Sequence, residues 1–540
     1  MRNQLLQPVL LLLITVLCLT MHVTADEFYL DHYYVPPPDT DTEDVEKSAY
    51  EKRYPLPEHT VRTWAAKPMP TFTVPATHVQ KQRMEQMPSH IVAVGVQADV
   101  EAAALFDTPF SKANEYVRLA AIRSPGAHAL RLNVDLMGLR EHDSLWLLDA
   151  NGEAAFGPFN ATTGRGWLPP TMGDTVVLAL CSSTDTLPVL MLHQVSHFHR
   201  PIIKKQLPCN IPIGQEANTK AQEISAGVGR LLVAYESGQQ GLCTATLINS
   251  HQRTEGLPKP YVLSAWHCFG NAVDYDSVTI FWDYRRANNG NASAPSLYEL
   301  SFNLGATLVA HNPVLDSVFL ELSRSVPIGA YGRAWAGWDA RAPEFGVPVQ
   351  VIHHPMGADM KTSRGRVTKA EVEVCMGAFC EPRYEKQIEA LWSAGVTEAG
   401  SSGSALLLRN GNYRLVGVLS NGTQHSCTDT SNNIDNFGPF HVFFPEIGCH
   451  LVSGVDCHDP YESDSRRCFL LRRTKLSPDT IHNLRRFRDD VLGKTPLGVH
   501  LSQEYYSHTP RLENMFSNSA AFRILTEAAV ILGAAWGASL

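Results

Sequence analysis

Three side chains in this sequence have the types and local settings that nucleophilic acyl transfer requires. His267 ends the apolar run in "YVLSAWHCFG", Asp316 precedes the apolar run in "NPVLDSVFLEL", and Ser402 lies between glycines in "TEAGSSGSALL". A serine hydroxyl is a weak nucleophile until an imidazole takes its proton, and a carboxylate holds that imidazole in the required tautomer. We therefore predict that the three side chains converge in one site.

Each of these segments also has a simpler explanation. A lone histidine is more often a core or surface residue than a base, and a Gly-Ser-Ser-Gly run can be a flexible turn. The turn would serve catalysis because glycines let the backbone approach a substrate carbonyl without an intervening Cβ. On that interpretation the N–H groups of Gly400 and Ser402 form an oxyanion hole. The alternative is a non-catalytic surface or adhesive protein that has the same fold without the catalytic activity.

The segments around these residues are short strands, which predicts a mainly β fold. Runs such as "GRLLVAY", "SVTIFWDY", "VPVQVIHHP" and "RLVGVLSNG" recur between residues 206 and 455, with Gly and Pro between them. Many short strands over this length favour a closed or paired barrel. The chain order His, Asp, Ser is that of chymotrypsin-like double β-barrels, and differs from the order in α/β-hydrolases and subtilisins.

The chain of 540 residues is long enough for several domains. Residues 1–25 combine an arginine, an apolar run and a small-residue end, which predicts a cleaved signal peptide and a secreted, extracellular protein; a membrane anchor is the alternative. Residues 26–88 are predicted to be an extended pro-segment, and 89–205 a β-sandwich-like pro-module. Residues 206–455 would form the barrels, and 456–540 a small helical C-terminal module.

Composition and cysteine spacing argue against a nucleic-acid partner and against a structural metal. The formal charge of −9 does not favour a nucleic-acid partner. Export permits disulfides, and the 11 cysteines include no CxxC pair, which argues against a structural zinc site. The adjacent pair His353 and His354 lacks a nearby acid or cysteine, so we interpret it as structural. We expect no metal and no organic cofactor.

Seven segments in order resemble the bacterial lysyl endopeptidases, a secreted branch of the chymotrypsin-fold serine proteases. They are "CNI" at Cys209, "SAWHC", "DSVFLEL", "WAGWDAR", "VIHHP", "GVTEAGSSGSA" and "DNFG" at Asp435. The resemblance implies a serine endopeptidase that cleaves polypeptides after lysine, with arginine left open. It places Asp435 at the base of the pocket for the P1 residue, the substrate residue before the scissile bond. A buried carboxylate there would select a cation; Asp429 is the fallback.

The resemblance also implies two disulfides, Cys209–Cys427 and Cys243–Cys268, and the spacing of Cys375 and Cys380 allows a local bridge. The sequence departs from related enzymes at three positions. Val396 stands where trypsin carries its pocket acid, and Ser401 where trypsin has the aspartate of its activation switch. Ser420 replaces the histidine of lysyl endopeptidases; it could donate to Asp316, while Gly422 pairs with the substrate backbone.

The flanking regions suggest processing and attachment. The segment "RPIIKKQLPCN" places Lys204 and Lys205 before the barrel region, so an enzyme that cuts after lysine could release its own N-terminal module as a zymogen does. From Cys468 onwards the chain resembles a "CFI-box" C-terminal module of secreted bacterial proteins. That region is a candidate for association with a cell or membrane surface.

Overall fold

The computed structural model describes residues 29–38, 69–75, 91–106, 110–112, 115–203, 205–235, 238–270, 273–287, 291–375 and 383–453. Residues up to 444, with 450–453, form one compact unit. Residues 445–449 belong to a second unit with 454–540, which lies outside the described residues apart from that short stretch. The predicted signal peptide and the predicted C-terminal module are therefore also outside the described residues.

The described residues are mainly β-strand, with three α-helices. The strands before residue 205 are β1 (Tyr29–Leu30), β2 (Tyr33–Val35), β3 (Thr71–Thr73), β4 (Ile91–Glu101), β5 (Phe110–Lys112), β6 (Glu115–Arg123), β7 (Ala129–Asp135), β8 (Ser144–Leu148), β9 (Ala155–Phe159), β10 (Arg165–Trp167), β11 (Thr171–Met172), β12 (Thr175–Ser182) and β13 (Met191–Phe198).

The strands after residue 205 are β14 (Ile211–Pro212), β15 (Val228–Tyr235), β16 (Gln240–Leu247), β17 (Arg253–Thr254), β18 (Leu257–Pro258), β19 (Tyr261–Ser264), β20 (Val273–Phe281), β21 (Phe302–Leu304), β22 (Ala306–Asn312), β23 (Ser317–Leu322), β24 (Arg333–Trp335), β25 (Trp338–Asp339), β26 (Pro348–His353), β27 (Lys361–Cys375), β28 (Arg383–Ala394), β29 (Ala405–Leu408), β30 (Leu415–Gly422) and β31 (Ile434–Pro439). The helices are α1 (Ala102–Leu105), α2 (Thr219–Ser225) and α3 (Phe440–Leu451).

Two antiparallel β-barrels make up the region after residue 205. In the first, six strands are hydrogen-bonded in the order β20-β15-β16-β19-β23-β22. In the second, six strands follow the order β30-β29-β26-β27-β28-β31, and β31 pairs back with β30 to close the barrel. Each barrel has its own core of buried aliphatic and aromatic side chains. The prediction of a chymotrypsin-like double β-barrel is therefore confirmed.

A β-sandwich precedes the barrels, as the sequence predicted. One sheet has the order β3-β6-β12-β8-β9, and the facing sheet contains β10, β7, β13 and β4. Leu132 and Val195 of one sheet share a core with Leu147 and Leu178 of the other. The apolar side chains of the alternating pattern that indicated a sandwich thus fill the space between the two sheets.

The sandwich and the first barrel share a sheet. Strand β4 pairs with β16 through Ala93 and Ile91, so that one hydrogen-bonded sheet of 12 strands runs from β10 into the first barrel. Two short strands from the predicted pro-segment also join the barrel region: β1 pairs with β25, and β2 with β24. Across the described ranges, no helix is both long enough and apolar enough to cross a bilayer.

Candidate active site

The carboxylate of Asp316 holds His267 through two hydrogen bonds. Its Oδ2 lies 2.7 Å from His267 Nδ1, and its Oδ1 accepts the His267 backbone N–H at 2.8 Å. Because a carboxylate only accepts, Nδ1 carries the proton, and Nε2 is the nitrogen that can take one from a serine. Burial alone would lower the pKa of His267, but the charge and the hydrogen bond of Asp316 outweigh it and raise the pKa. This pair has the arrangement of a general base and its orienting acid.

Asp316 is fully buried and precedes strand β23. Its φ of 52° lies in the left-handed region, which aspartate tolerates better than most residues. A third donor, the Ser420 hydroxyl, reaches Oδ2 at 2.6 Å. Three donors offset the cost of burying a carboxylate. The structure thus places Ser420 against Asp316, where the histidine of the resembling family would lie.

Ser402 lies in the tight turn between β28 and β29. Its carbonyl accepts the Thr244 N–H at 2.8 Å. Thr244 follows Cys243, whose disulfide leads to Cys268 beside His267. The nucleophile turn and the histidine are therefore tied to the same strand, β16, and Ser402 lines a cleft that it shares with Ser420 and Asp435.

The backbone of the turn suits an oxyanion hole. The Ala399 carbonyl accepts from Met356 N at 2.6 Å, and the Ser401 carbonyl accepts from Ser404 N at 3.1 Å. In a trans peptide the N–H points opposite to the carbonyl, so the N–H groups of Gly400 and Ser402 are directed away from these partners. Gly400 has a φ of +93°, and a Cβ there would come within 3.0 Å of a backbone oxygen. Glycine is required at this position.

The buried segment that contains the histidine pair supports this turn from behind. Thr244 Oγ1 donates to the Gly400 carbonyl at 2.9 Å and accepts the His354 N–H at 3.1 Å. His353 Nδ1 lies 2.7 Å from the Ser401 hydroxyl. Burial holds the pKa of His353 well below its usual value, and neighbouring positive groups lower it further. His353 is therefore a neutral residue that hydrogen-bonds the Ser401 hydroxyl.

Asp435 lines the cleft, and its side chain is 1% exposed. Its Oδ2 accepts Trp392 Nε1 at 2.5 Å and the Thr397 hydroxyl at 2.6 Å. Its Oδ1 lies 3.0 Å from His425 Nε2. The same cleft is lined by Ser402, so the carboxylate and the nucleophile share one cavity. Asp429, the fallback candidate, is exposed in the preceding loop.

Two disulfides stabilise the site. They join Cys209 to Cys427 and Cys243 to Cys268, the two pairs that the resemblance implied. The sulfurs of the second pair lie near the ring of His267, but each is bonded to the other, so this group lacks the thiolates that a metal site would need. The bridge suggested between Cys375 and Cys380 lies outside the described side chains.

Comparison with known proteins gives one family match. Residues 205–438 match the family model "Lysyl endopeptidase, C-terminal domain". This part of the chain is similar to the lysyl endopeptidases. The lysyl endopeptidase of Pseudomonas aeruginosa is 27% identical over 305 residues, which cover 53% of this chain and 63% of that protein. The chain therefore spans about 63% of the length of this relative. The resemblance to lysyl endopeptidases that seven short segments indicated is confirmed.

Solved structures give only weak similarity. The active form of the Rv3671c protease from M. tuberculosis is 13% identical, covering 48% of this chain and 94% of that chain with a TM-score of 0.30. The HtrA-type protease AlgW with a tripeptide is 16% identical, covering 41% and 59% with a TM-score of 0.27. Scores this low support no inference about this chain.

Two features of this site were not anticipated from the sequence. Glu398 lines the cleft and accepts from Leu207 N at 2.9 Å and from the Asn210 amide at 2.6 Å, which ties the start of the domain to the nucleophile turn. His425 lines the same cleft and lies 3.0 Å from Asp435. In sequence His425 is one polar residue in the loop "GTQHSCTDT", and no local signal relates it to Asp435.

Proposed function

We propose that this protein is a secreted serine endopeptidase that hydrolyses polypeptides after lysine, and also after arginine where the pocket admits it. The observation that carries the proposal is the buried Asp316 carboxylate, which binds His267 at both Nδ1 and the backbone N–H. The match of residues 205–438 to the lysyl endopeptidase family model supports the same reaction.

The proposed reaction begins with Ser402. Its Oγ attacks the carbonyl carbon of the scissile peptide while the hydroxyl proton passes to His267 Nε2. The N–H groups of Gly400 and Ser402 stabilise the negative charge on the carbonyl oxygen. The C–N bond then breaks, and the departing amine takes the proton from His267. Water repeats the sequence on the acyl-enzyme, with His267 again the base, which releases the acid and restores the Ser402 hydroxyl.

The proposed P1 specificity rests on Asp435. Its carboxylate lines the same cleft as Ser402. Oδ1 faces His425 Nε2 at 3.0 Å and, as a carboxylate oxygen with two lone pairs, can accept a further hydrogen bond. A buried carboxylate favours a cationic partner, since an ammonium or guanidinium offsets the cost of its desolvation. Polypeptides with a basic P1 residue are the substrates that this chemistry fits. Gly422, at the end of β30, offers backbone groups for pairing with the substrate strand.

The test combines a fluorophosphonate probe with a peptide library, and uses Ser402→Ala as the matched control. The probe reacts only with an activated serine, so labelling of the wild type and not of the variant is the expected result. Cleavage confined to lysyl and arginyl bonds, absent in the variant, would support the P1 proposal. Cleavage after other residues would reject Asp435 as the specificity residue. A folded protein that is neither labelled nor active would reject the enzymatic proposal.

A further inference from the structure

The ring of His425 faces only hydrogen-bond acceptors. Its Nδ1 lies 2.7 Å from the Thr397 carbonyl oxygen. Its Nε2 lies 3.0 Å from Asp435 Oδ1 and 3.4 Å from the Ile434 carbonyl oxygen. Carbonyl and carboxylate oxygens cannot donate, so each ring nitrogen satisfies its neighbours only when it carries a hydrogen. The geometry therefore selects the doubly protonated, positively charged imidazolium.

Burial strengthens this charge pair. The side chains of His425 and Asp435 are 4% and 1% exposed, so little water screens them. Burial alone would lower the pKa of His425, but the hydrogen bond and the charge of Asp435 outweigh it, helped by the two carbonyls, and raise the pKa to about 9. The other titratable groups near the ring are Glu398, which lines the same cleft, and His353, whose pKa is lowered. At neutral pH His425 is a cation.

The imidazolium lies where a substrate cation would bind. Oδ2 of Asp435 is occupied by Trp392 and Thr397, so Oδ1 is the oxygen left for a P1 ammonium. That oxygen is within ion-pair distance of His425. A P1 lysine would bring a second positive charge to a single buried carboxylate. The two cations repel each other, and the carboxylate cannot neutralise both.

We infer that His425 is a resident cation of the P1 pocket that competes with substrate lysine for Asp435, so that preference for lysine over an uncharged P1 residue increases with pH. The inference rests on the proposed function. It assigns His425 the role of a specificity-determining residue, acting through Asp435 on the substrate.

The size of the effect follows from proton linkage. If lysine binds well only to the form with neutral His425, its apparent affinity is reduced by the fraction of that form. Below the pKa of His425 that fraction changes by at most about tenfold per pH unit. An uncharged P1 residue does not compete for the carboxylate and escapes this dependence. Discrimination therefore rises as His425 loses its proton.

The experiment compares two peptides that are identical except for lysine or norleucine at P1. Their kcat/KM values are measured between pH 6 and pH 9, where the free lysine side chain stays charged because its pKa is about 10.4. Titration of His267 affects both peptides alike and cancels in the ratio. We expect the lysine-to-norleucine ratio to rise roughly ten- to a hundredfold over this range in the wild type, and to be nearly constant in His425→Gln. His142→Gln, at an exposed position of the sandwich, is the matched control and should keep the wild-type slope.

The outcomes separate this inference from the proposed function. A wild-type ratio that does not change with pH overturns the inference, whether or not His425→Gln folds. A ratio that rises equally in His425→Gln overturns it as well. If the protein is labelled by the fluorophosphonate but cleaves neither peptide, the serine chemistry stands and the lysine pocket is lost, together with this inference. If the folded protein is not labelled at all, the proposed function itself fails.

Discussion

At the scale of a single residue, Gly422 lies directly against the Asp435 carboxylate in the cleft. It is the last residue of β30 and pairs across the sheet with Asp435 of β31. A Cβ at this position would overlap Oδ1 of Asp435, the oxygen that faces His425 Nε2 at 3.0 Å. A glycine therefore keeps the proposed P1 site open without any special backbone angle.

We predict that Gly422→Ala blocks recognition of a basic P1 residue while the serine remains reactive. The added methyl occupies the space in front of Asp435, so kcat/KM for lysyl peptides should fall by roughly a hundredfold or more, in line with the loss of a buried charge pair. Fluorophosphonate labelling of Ser402 should persist. The measurement is peptide hydrolysis together with active-site titration of the same sample.

Gly166→Ala is the matched control, because a Cβ on Gly166 would make only ordinary contacts, the nearest at 3.5 Å. It should hydrolyse lysyl peptides like the wild type. If Gly422→Ala retained full activity on lysyl peptides, the P1 residue would not bind at Asp435.

The sequence predicts those site residues that lie in a short segment with a recognisable pattern. His267, Asp316 and Ser402 each lie in a short segment with its own pattern, and their chain order indicates the barrel type. His425 carries no such signal, because its relation to Asp435 depends on how the loop after β30 returns to β31. Contacts that depend on strand register and loop path are not readable from periodicity.

At the scale of elements, one buried side chain joins the sandwich to the first barrel. Arg131 of β7 donates to the Leu168 carbonyl at 2.7 Å within its own module. Across the junction it donates to Gln240 Oε1 at 2.6 Å and to the Ser277 carbonyl at 2.7 Å. It is fully buried, and burial lowers its pKa to about 9. Its hydrogen bonds couple the two structures where β4 and β16 pair.

We predict that Arg131→Met destabilises the protein by about 3 kcal/mol, because several buried acceptors lose their donor at once. The measurement is the midpoint of thermal or chemical unfolding. Arg123→Met is the matched control: Arg123 is 53% exposed and pairs with Asp174 at 3.4 Å. An exposed pair of this kind contributes less than about 1 kcal/mol. Equal stability of the two variants would show that Arg131 does not couple the sandwich to the barrel.

The junction between the sandwich and the first barrel is a part of the fold that the sequence did not predict. Alternating apolar residues predicted the sandwich and the barrels as separate modules, and both are present. The pairing of β4 with β16, and of β1 and β2 with β25 and β24, joins segments far apart in sequence. Pairing at such separations leaves no trace in local pattern, because each strand looks the same whichever partner it has.

At the scale of the whole molecule, described strands from before residue 205 pair with strands of the barrel region. Strand β4 extends the sheet of the first barrel, and β1 and β2 pair with strands on the far side of the proposed processing site. Ile202, near the end of this region, is fully buried, whereas Lys205 is exposed. The exposed Lys205 therefore lies between the sandwich and the barrels, which are joined by paired strands.

We predict that cleavage after Lys204 or Lys205 leaves the N-terminal piece bound to the barrels. The disulfides Cys209–Cys427 and Cys243–Cys268 both lie after this point, so neither of them links the two pieces. Shared sheet hydrogen bonds and the buried Arg131 network oppose their separation. The measurement is size-exclusion chromatography of the cleaved protein, with a denaturing gel to verify the cut and uncleaved Ser402→Ala as the reference. Co-elution at the position of the uncleaved chain is expected, and Arg131→Met should weaken it; separate elution of the wild-type pieces would show that the shared sheet does not hold them together.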